Sequence, residues 1–118
     1  MMDFTFTNQL HYLVHQVDGE SGYVAHCLDL DLVGSGDDVE AAVSQLNDIV
    51  RTVVFFCLKA RKSDPSSHCS KAPHEYWEMF KCAEQENGST VRTLDVAPEL
   101  APVSVMECHF TYCLAIAA

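Results

Sequence analysis

The chain has 118 residues, 48% of them hydrophobic, and a formal net charge of −10. That length holds one domain with a real core but not two, and the composition excludes a disordered chain. The acid excess disfavours a nucleic-acid backbone as partner, because displacing its counterions requires cations on the protein. It suits solubility and, through electrostatic steering, a basic protein partner.

No apolar run reaches the roughly 18 residues that a membrane span needs. The start, Met1-Met2-Asp3-Phe4-Thr5, lacks the basic and apolar regions of a signal peptide, so a cytoplasmic chain is expected. Cys27, Cys57, Cys69, Cys82, Cys108 and Cys113 are irregularly spaced, with no C-x-x-C pair. Reduced thiols acting as small hydrophobes fit that pattern.

Phe4 to Val17 reads as extended structure, with an interruption or bulge at Asn8-Gln9. Asp18-Gly19-Glu20-Ser21-Gly22 is a polar turn. It joins this run to a second one from Tyr23, predicting an antiparallel hairpin. The second run reaches Val33, with Leu28, Leu30 and Leu32 on one face and Asp29 and Asp31 on the other. A break near Asp29 would divide it in two. Gly34-Ser35-Gly36 then reads as a tight turn in which glycine also permits close approach of strand and helix.

A long helix comes next, starting at Asp37 or Asp38 and running to Lys62. Its apolar stripe is Val39, Ala42, Val43, Leu46, Ile49, Val50, Val53 and Cys57, at helical spacing. Either aspartate suits the N-cap, and with Asp37 there Glu40 falls where a capping box needs it. Lys59, Arg61 and Lys62 suit the negative end of the helix dipole, and Ser63-Asp64-Pro65 stops it. Phe55-Phe56 widens the apolar face and marks a candidate self-association surface.

Asp64 to Ala72 is a polar loop. Pro73 to Glu86 predicts a short second helix with Tyr76, Trp77, Phe80 and Ala83 on one face and Asn87-Gly88 at its end. Val91 to Val96 is a short strand, Ala97 to Pro102 a rigid connector, and Val103 to Ile116 the last strand. There Met106, Cys108, Phe110, Tyr112, Leu114 and Ile116 share a face.

The string Tyr23-Val24-Ala25-His26-Cys27-Leu28, with Gly36-Asp37-Asp38-Val39-Glu40-Ala41-Ala42 after it, resembles the signature of the HicB family of antitoxins. The match covers the module of residues 4–62 and includes the hairpin before it. The resemblance implies a degenerate ribonuclease-H-like sheet with the long helix on it. It also implies a non-catalytic protein that covers the active surface of a small basic HicA-type RNase toxin. Asp38 stands where the family has threonine, and Ala41 where it has the second glutamate. Nothing after Lys62 looks like a helix-turn-helix or ribbon-helix-helix, so the DNA binding of many members does not carry over.

Other chemistry competes with plainer roles. Asp29 and Asp31, about 7 Å apart on one strand face, with Asp37 and Asp38, suggest a divalent-metal site of nuclease type. The plainer role is a solvated strand face and a helix cap. His11, His15 and His26 converge if the first two strands pair, as a zinc site or an acid–base group requires. Packed or hydrogen-bonded sheet histidines are the commoner case. His68-Cys69 and Cys108-His109 form a looser set without a metal-binding spacing. Trp77, Tyr76 and Phe80 make either a partner-contact patch or the packing face of the short helix. The odd-numbered positions of the last strand, Val105 to Thr111, read as a wet face or one shared with a second copy.

The expectation is therefore one α+β domain over residues 1–118: a mostly antiparallel sheet with one long helix on a face, its core module at 4–62, and a short second helix and strands over 73–118. The expected function is that of a HicB-like antitoxin without catalysis, cofactor or metal, binding a HicA-like toxin through Asp29, Asp31, Asp37, Asp38 and Glu40. Self-association through Phe55 and Phe56 into a homo-oligomer is the structural alternative. A metal-dependent nuclease remnant is the enzymatic one.

Overall fold

Alternation in the first strand decides both faces of the sheet. Leu10, Tyr12 and Val14 point into one apolar cluster and Leu13 into another, and all four are fully buried. A strand covered on both sides belongs at the centre of a sheet. In the computed structural model, residues 5–16, 21–57, 70–94 and 105–115 are described, with backbone alone at 5–8 and 105–108.

The elements are β1 (Thr5–Gln16), β2 (Tyr23–Cys27), β3 (Leu32–Gly36), α1 (Val39–Phe56), α2 (His74–Asn87), β4 (Thr90–Thr93) and β5 (Val105–Ala115). The class is α+β. The five-stranded sheet has the order β3-β2-β1-β5-β4. The β1–β2, β2–β3 and β4–β5 joins are antiparallel, and β1 runs parallel to β5. The sheet is thus mixed, with three of its four joins antiparallel. A parallel partner needs a crossover connection, and the α1–α2 half of the chain supplies one between β1 and β5.

Each face of the sheet carries one helix. On the first, Ala42, Val43, Leu46, Val50 and Val54 of α1 pack on Leu10, Tyr12, Val14, Ala25, Cys27 and Phe110. On the second, Phe80 and Ala83 of α2 pack on Leu13, Leu28, Ala72 and Cys113. The stripe predicted for α1 is the one buried, rotated slightly at its end: Val54 is buried and Val53 half-buried. Asp38 is the N-cap, and its side chain accepts a hydrogen bond from the Ala41 N–H at 2.7 Å. The third helical position is therefore Ala41, no capping box forms, and Glu40 turns to Arg92 instead. The predicted end of the helix beyond Cys57, the predicted loop from Asp64 as far as residue 69 and the predicted connector from Ala97 to Pro102 lie outside the described residues.

Two expectations are corrected and one is met. The pairing of β1 with β5 runs unbroken through Asn8 and Gln9, so there is no bulge. The break expected near Asp29 does divide the run from Tyr23: β2 ends at Cys27, a turn occupies Leu28–Asp31, and β3 begins at Leu32. Gly34-Ser35-Gly36 is strand rather than turn. Its glycines serve close approach, since a Cβ on Gly34 would lie 2.6 Å from the Leu46 nitrogen and one on Gly36 2.5 Å from the Ala42 nitrogen. Both backbone contacts are closer than real Cβ atoms come, so α1 rests on a stripe without side chains.

Candidate functional site

The turn between β2 and β3 joins the two cores and holds two acid–imidazole pairs. Leu28 enters the α2-side cluster and Leu30 the α1-side cluster, although both were expected on one face. Asp31 closes the turn in the left-handed region at φ 54°, where aspartate is better tolerated than a bulky residue. Asp29 and Asp31 consequently do not form a carboxylate pair on a strand face. Each reaches a histidine.

Asp29 Oδ1 accepts the backbone N–H of His11 at 2.6 Å, while its Oδ2 lies 3.0 Å from His11 Nδ1. The Leu28 N–H donates to the His11 carbonyl at 2.9 Å. The ladder between β1 and β2 thus ends on a side chain, which satisfies a strand N–H that would otherwise need another partner. The His11 pKa is raised. The hydrogen bond to Asp29 is the main cause, opposed by burial, with the charges of Asp29 and Glu84 adding and Lys71 subtracting. On β2, His26 is buried and its Nε2 lies 2.7 Å from Asp31 Oδ1.

Helix α2 closes over both imidazoles with aromatic rings. His11 lies 5.2 Å from the Trp77 ring and 5.4 Å from that of Phe80. His26 meets the Tyr76 ring edge-on at 4.9 Å. Tyr76, Trp77 and Phe80 therefore face the sheet, and packing is their role here. His11, His15 and His26 do share this face, as β1–β2 pairing required. Among the described residues, however, no three His, Cys, Asp or Glu side chains gather closely enough to hold a metal ion. Cys27, Cys57 and Cys113 are buried and Cys82 exposed, none of them in a disulfide. Burial, aided by the charge of Glu84, pushes the Cys113 thiol up to about 11. His68 and Cys69, and the side chain of Cys108, lie outside the described residues.

The remaining candidate acids sit elsewhere. Asp37, Asp38 and Glu40 lie at the start of α1, separated from Asp31 by the length of β3, roughly 13 Å or more. The five residues form two groups, not one patch. Asp38 is committed to the helix cap, and Glu40 makes a two-pronged pair with Arg92 at 2.9 and 3.0 Å. Arg92 also lies 5.0 Å from the centroid of the Tyr112 ring. Asp31 and Asp37 remain exposed or half-exposed at the surface.

Comparison with family models, curated proteins and solved structures finds no match.

Two surface features lie apart from this turn, and the first escaped the sequence reading. The exposed side chains of α2 include Glu75, Glu78, Glu84 and Glu86 against Lys81. An open groove of about 300 Å³ lies there, lined by Glu78, Met79, Cys82, Ala83, Glu86, Asn87 and Ala115. The signal was present in the spacing of those glutamates, but the aromatic residues drew attention to the opposite face. At the end of α1, Phe55 is 36% and Phe56 51% exposed, while Val91 on the edge strand β4 is 65% exposed. Among the described residues, no helix is long and apolar enough to cross a membrane.

Proposed function

We propose that this protein is a HicB-like antitoxin that neutralises a small basic RNase toxin by covering its active surface, with no catalysis of its own. The observation that carries the reading is the build of the Tyr23–Leu46 stretch: two paired strands, glycines at the contact with the helix, and an aspartate-capped amphipathic helix. That is the strand-to-helix module the family resemblance implies. The net charge of −10 supports a basic partner. Asp31 and Asp37, near opposite ends of β3, and the exposed Glu75, Glu78 and Glu86 of α2 are the groups best suited to cationic side chains. Asp29, Asp38 and Glu40 act mainly within the chain, holding β1, capping α1 and pairing with Arg92.

Co-expression tests this function. The chain is expected to restore growth to cells expressing the small basic product of the neighbouring reading frame. Unrelieved toxicity, or a neighbouring product that is neither basic nor toxic, contradicts the proposal.

A second reading has its own observation. The exposed Phe55 and Phe56 favour a self-associating domain, since paired aromatics at a helix end suit an interface core. The two readings are compatible, because an antitoxin can act as a homo-oligomer. A cytoplasmic location belongs to both.

A further inference from the structure

Of the two helices, α2 is the less secured. Only Phe80 and Ala83 of its residues are buried, no side chain caps its N-terminus, and its last turn holds no basic residue. Against that, two anchors come from imidazoles of the sheet. His11 sits between Asp29 and the rings of Trp77 and Phe80. His26 sits between Asp31 and Tyr76. The segment before α2 is tied to the same turn, because the Ala72 N–H donates to the Leu28 carbonyl at 2.8 Å.

We propose that α2 is a proton-controlled latch, held on the sheet by the imidazolium of His11 between Asp29 and the Trp77 and Phe80 rings, and released as that proton leaves. An imidazolium over the face of an aromatic ring, within about 6 Å of its centroid, is attracted by the ring quadrupole, whereas a neutral imidazole is not drawn in that way. The same proton strengthens the bond to Asp29, because an ion pair replaces a neutral donor. Both partners of His11 therefore favour its charged form, and one of them belongs to α2.

The surrounding groups agree in direction. From the turn His11 faces Asp29, from α2 Glu84, and from the segment before α2 Lys71, the only opposing charge of the three. Among the described side chains of β5, the titratable groups of this face are Cys113, buried beneath α2 and kept neutral, and His109, whose Nδ1 lies 3.4 Å from Thr93 Oγ1. On β2 it is His26, already paired with Asp31. His15 lies four residues along β1 on the same face, half-buried. His74 pairs within α2 to Glu78 at 3.0 Å and lies largely in solvent, so it reports on the helix itself rather than its docking. Release of α2 bares Leu13 and Cys113 on the sheet and Leu28 in the turn beside it, an apolar strip.

The sequence contains one tryptophan, and it is Trp77, so its fluorescence reads this contact directly. The experiment tracks Trp77 emission in the full chain across a pH range of about 5.5 to 8.5, on either side of the ordinary histidine value. Amide exchange of residues 74–87, corrected for intrinsic rates, is measured alongside. The wild type is expected to give one emission transition centred above the ordinary histidine value, and α2 protection several-fold lower at the alkaline end than at the acid end. His11→Gln is expected to abolish the transition and make α2 protection independent of pH. Asp29→Asn, which retains an acceptor for the His11 N–H, is expected to move the transition to lower pH, and it serves alone if the His11 variant does not fold. A transition that persists unchanged in either variant, or equal α2 protection at both ends of the range, overturns the latch.

Discussion

Asp29 stands in for a missing strand beside His11. Its carboxylate accepts the His11 backbone N–H at 2.6 Å and meets the ring Nδ1 at 3.0 Å, where β2 has already turned away. Removing it leaves a half-buried N–H and an imidazole without its acceptor. Asp29→Ala is expected to cost about 2 kcal/mol in urea unfolding at mildly acid pH, the range for hydrogen bonds to charged groups. Asp29→Asn, keeping one acceptor oxygen, is expected to cost clearly less. Equal losses would place the effect in charge alone.

Among the described residues, two groups of one face make stability fall as pH rises. His11 has a raised pKa, so its stabilising contribution is complete below the unfolded value of about 6.5 and is lost as pH rises through the folded value. Cys113 is held protonated up to about 11, so the folded chain again binds the proton more tightly. Its contribution is complete below the ordinary thiol range and lost as pH rises toward that value. Chemical unfolding is therefore expected to become easier in two steps, near neutrality and above about pH 9. Cys113→Ala should remove the second step and leave the first.

The glycines of β3 are where α1 touches the sheet. Gly34→Ala and Gly36→Ala each force a methyl against backbone atoms of the helix, 2.6 and 2.5 Å away. Backbone cannot rotate aside as a side chain does, so each is expected to lose about 1–3 kcal/mol by thermal or urea unfolding. Ser35→Ala, on the exposed side between them, should stay within about 0.5 kcal/mol.

Asp38→Ala removes the N-cap of α1, with an expected loss of about 1 kcal/mol. Arg92→Ala breaks the pair with Glu40, but both side chains are largely in water, so its effect on unfolding should be much smaller. Arg92→Ala as costly as Asp38→Ala would mean that the contact of Arg92 with Tyr112 carries more than the ion pair.

Phe55→Ser with Phe56→Ser tests the self-association surface. The double variant is expected to sediment as a monomer at micromolar concentration where the wild type does not, with little change in helix content. Identical sedimentation of the two proteins assigns any oligomer to another surface, such as the β4 edge with Val91.

Residues differ in how openly they declare these relationships. The helix α1 was legible because its apolar positions repeat at the helical period and an aspartate stands ready to cap its first turn. Leu28-Asp29-Leu30-Asp31-Leu32 misled because strict alternation is also the pattern a turn displays when it feeds leucines to two cores in succession. Gly34 and Gly36 were ambiguous, since glycine marks turns and close contacts alike. His11 and Asp29 are 18 positions apart, and their meeting depends on where β2 ends. The sheet's parallel join was hidden for a related reason: β5 has a clear period of two, but alternation does not say which neighbour a strand takes or in which direction.

Calorimetric titration of the purified chain with the small basic product of the neighbouring reading frame tests the docking role most directly. A saturable complex that weakens steeply with added salt, and in which the toxin no longer cleaves RNA, is the predicted result. No heat of binding at micromolar concentrations in low salt, with RNA cleavage undiminished by excess chain, would contradict it.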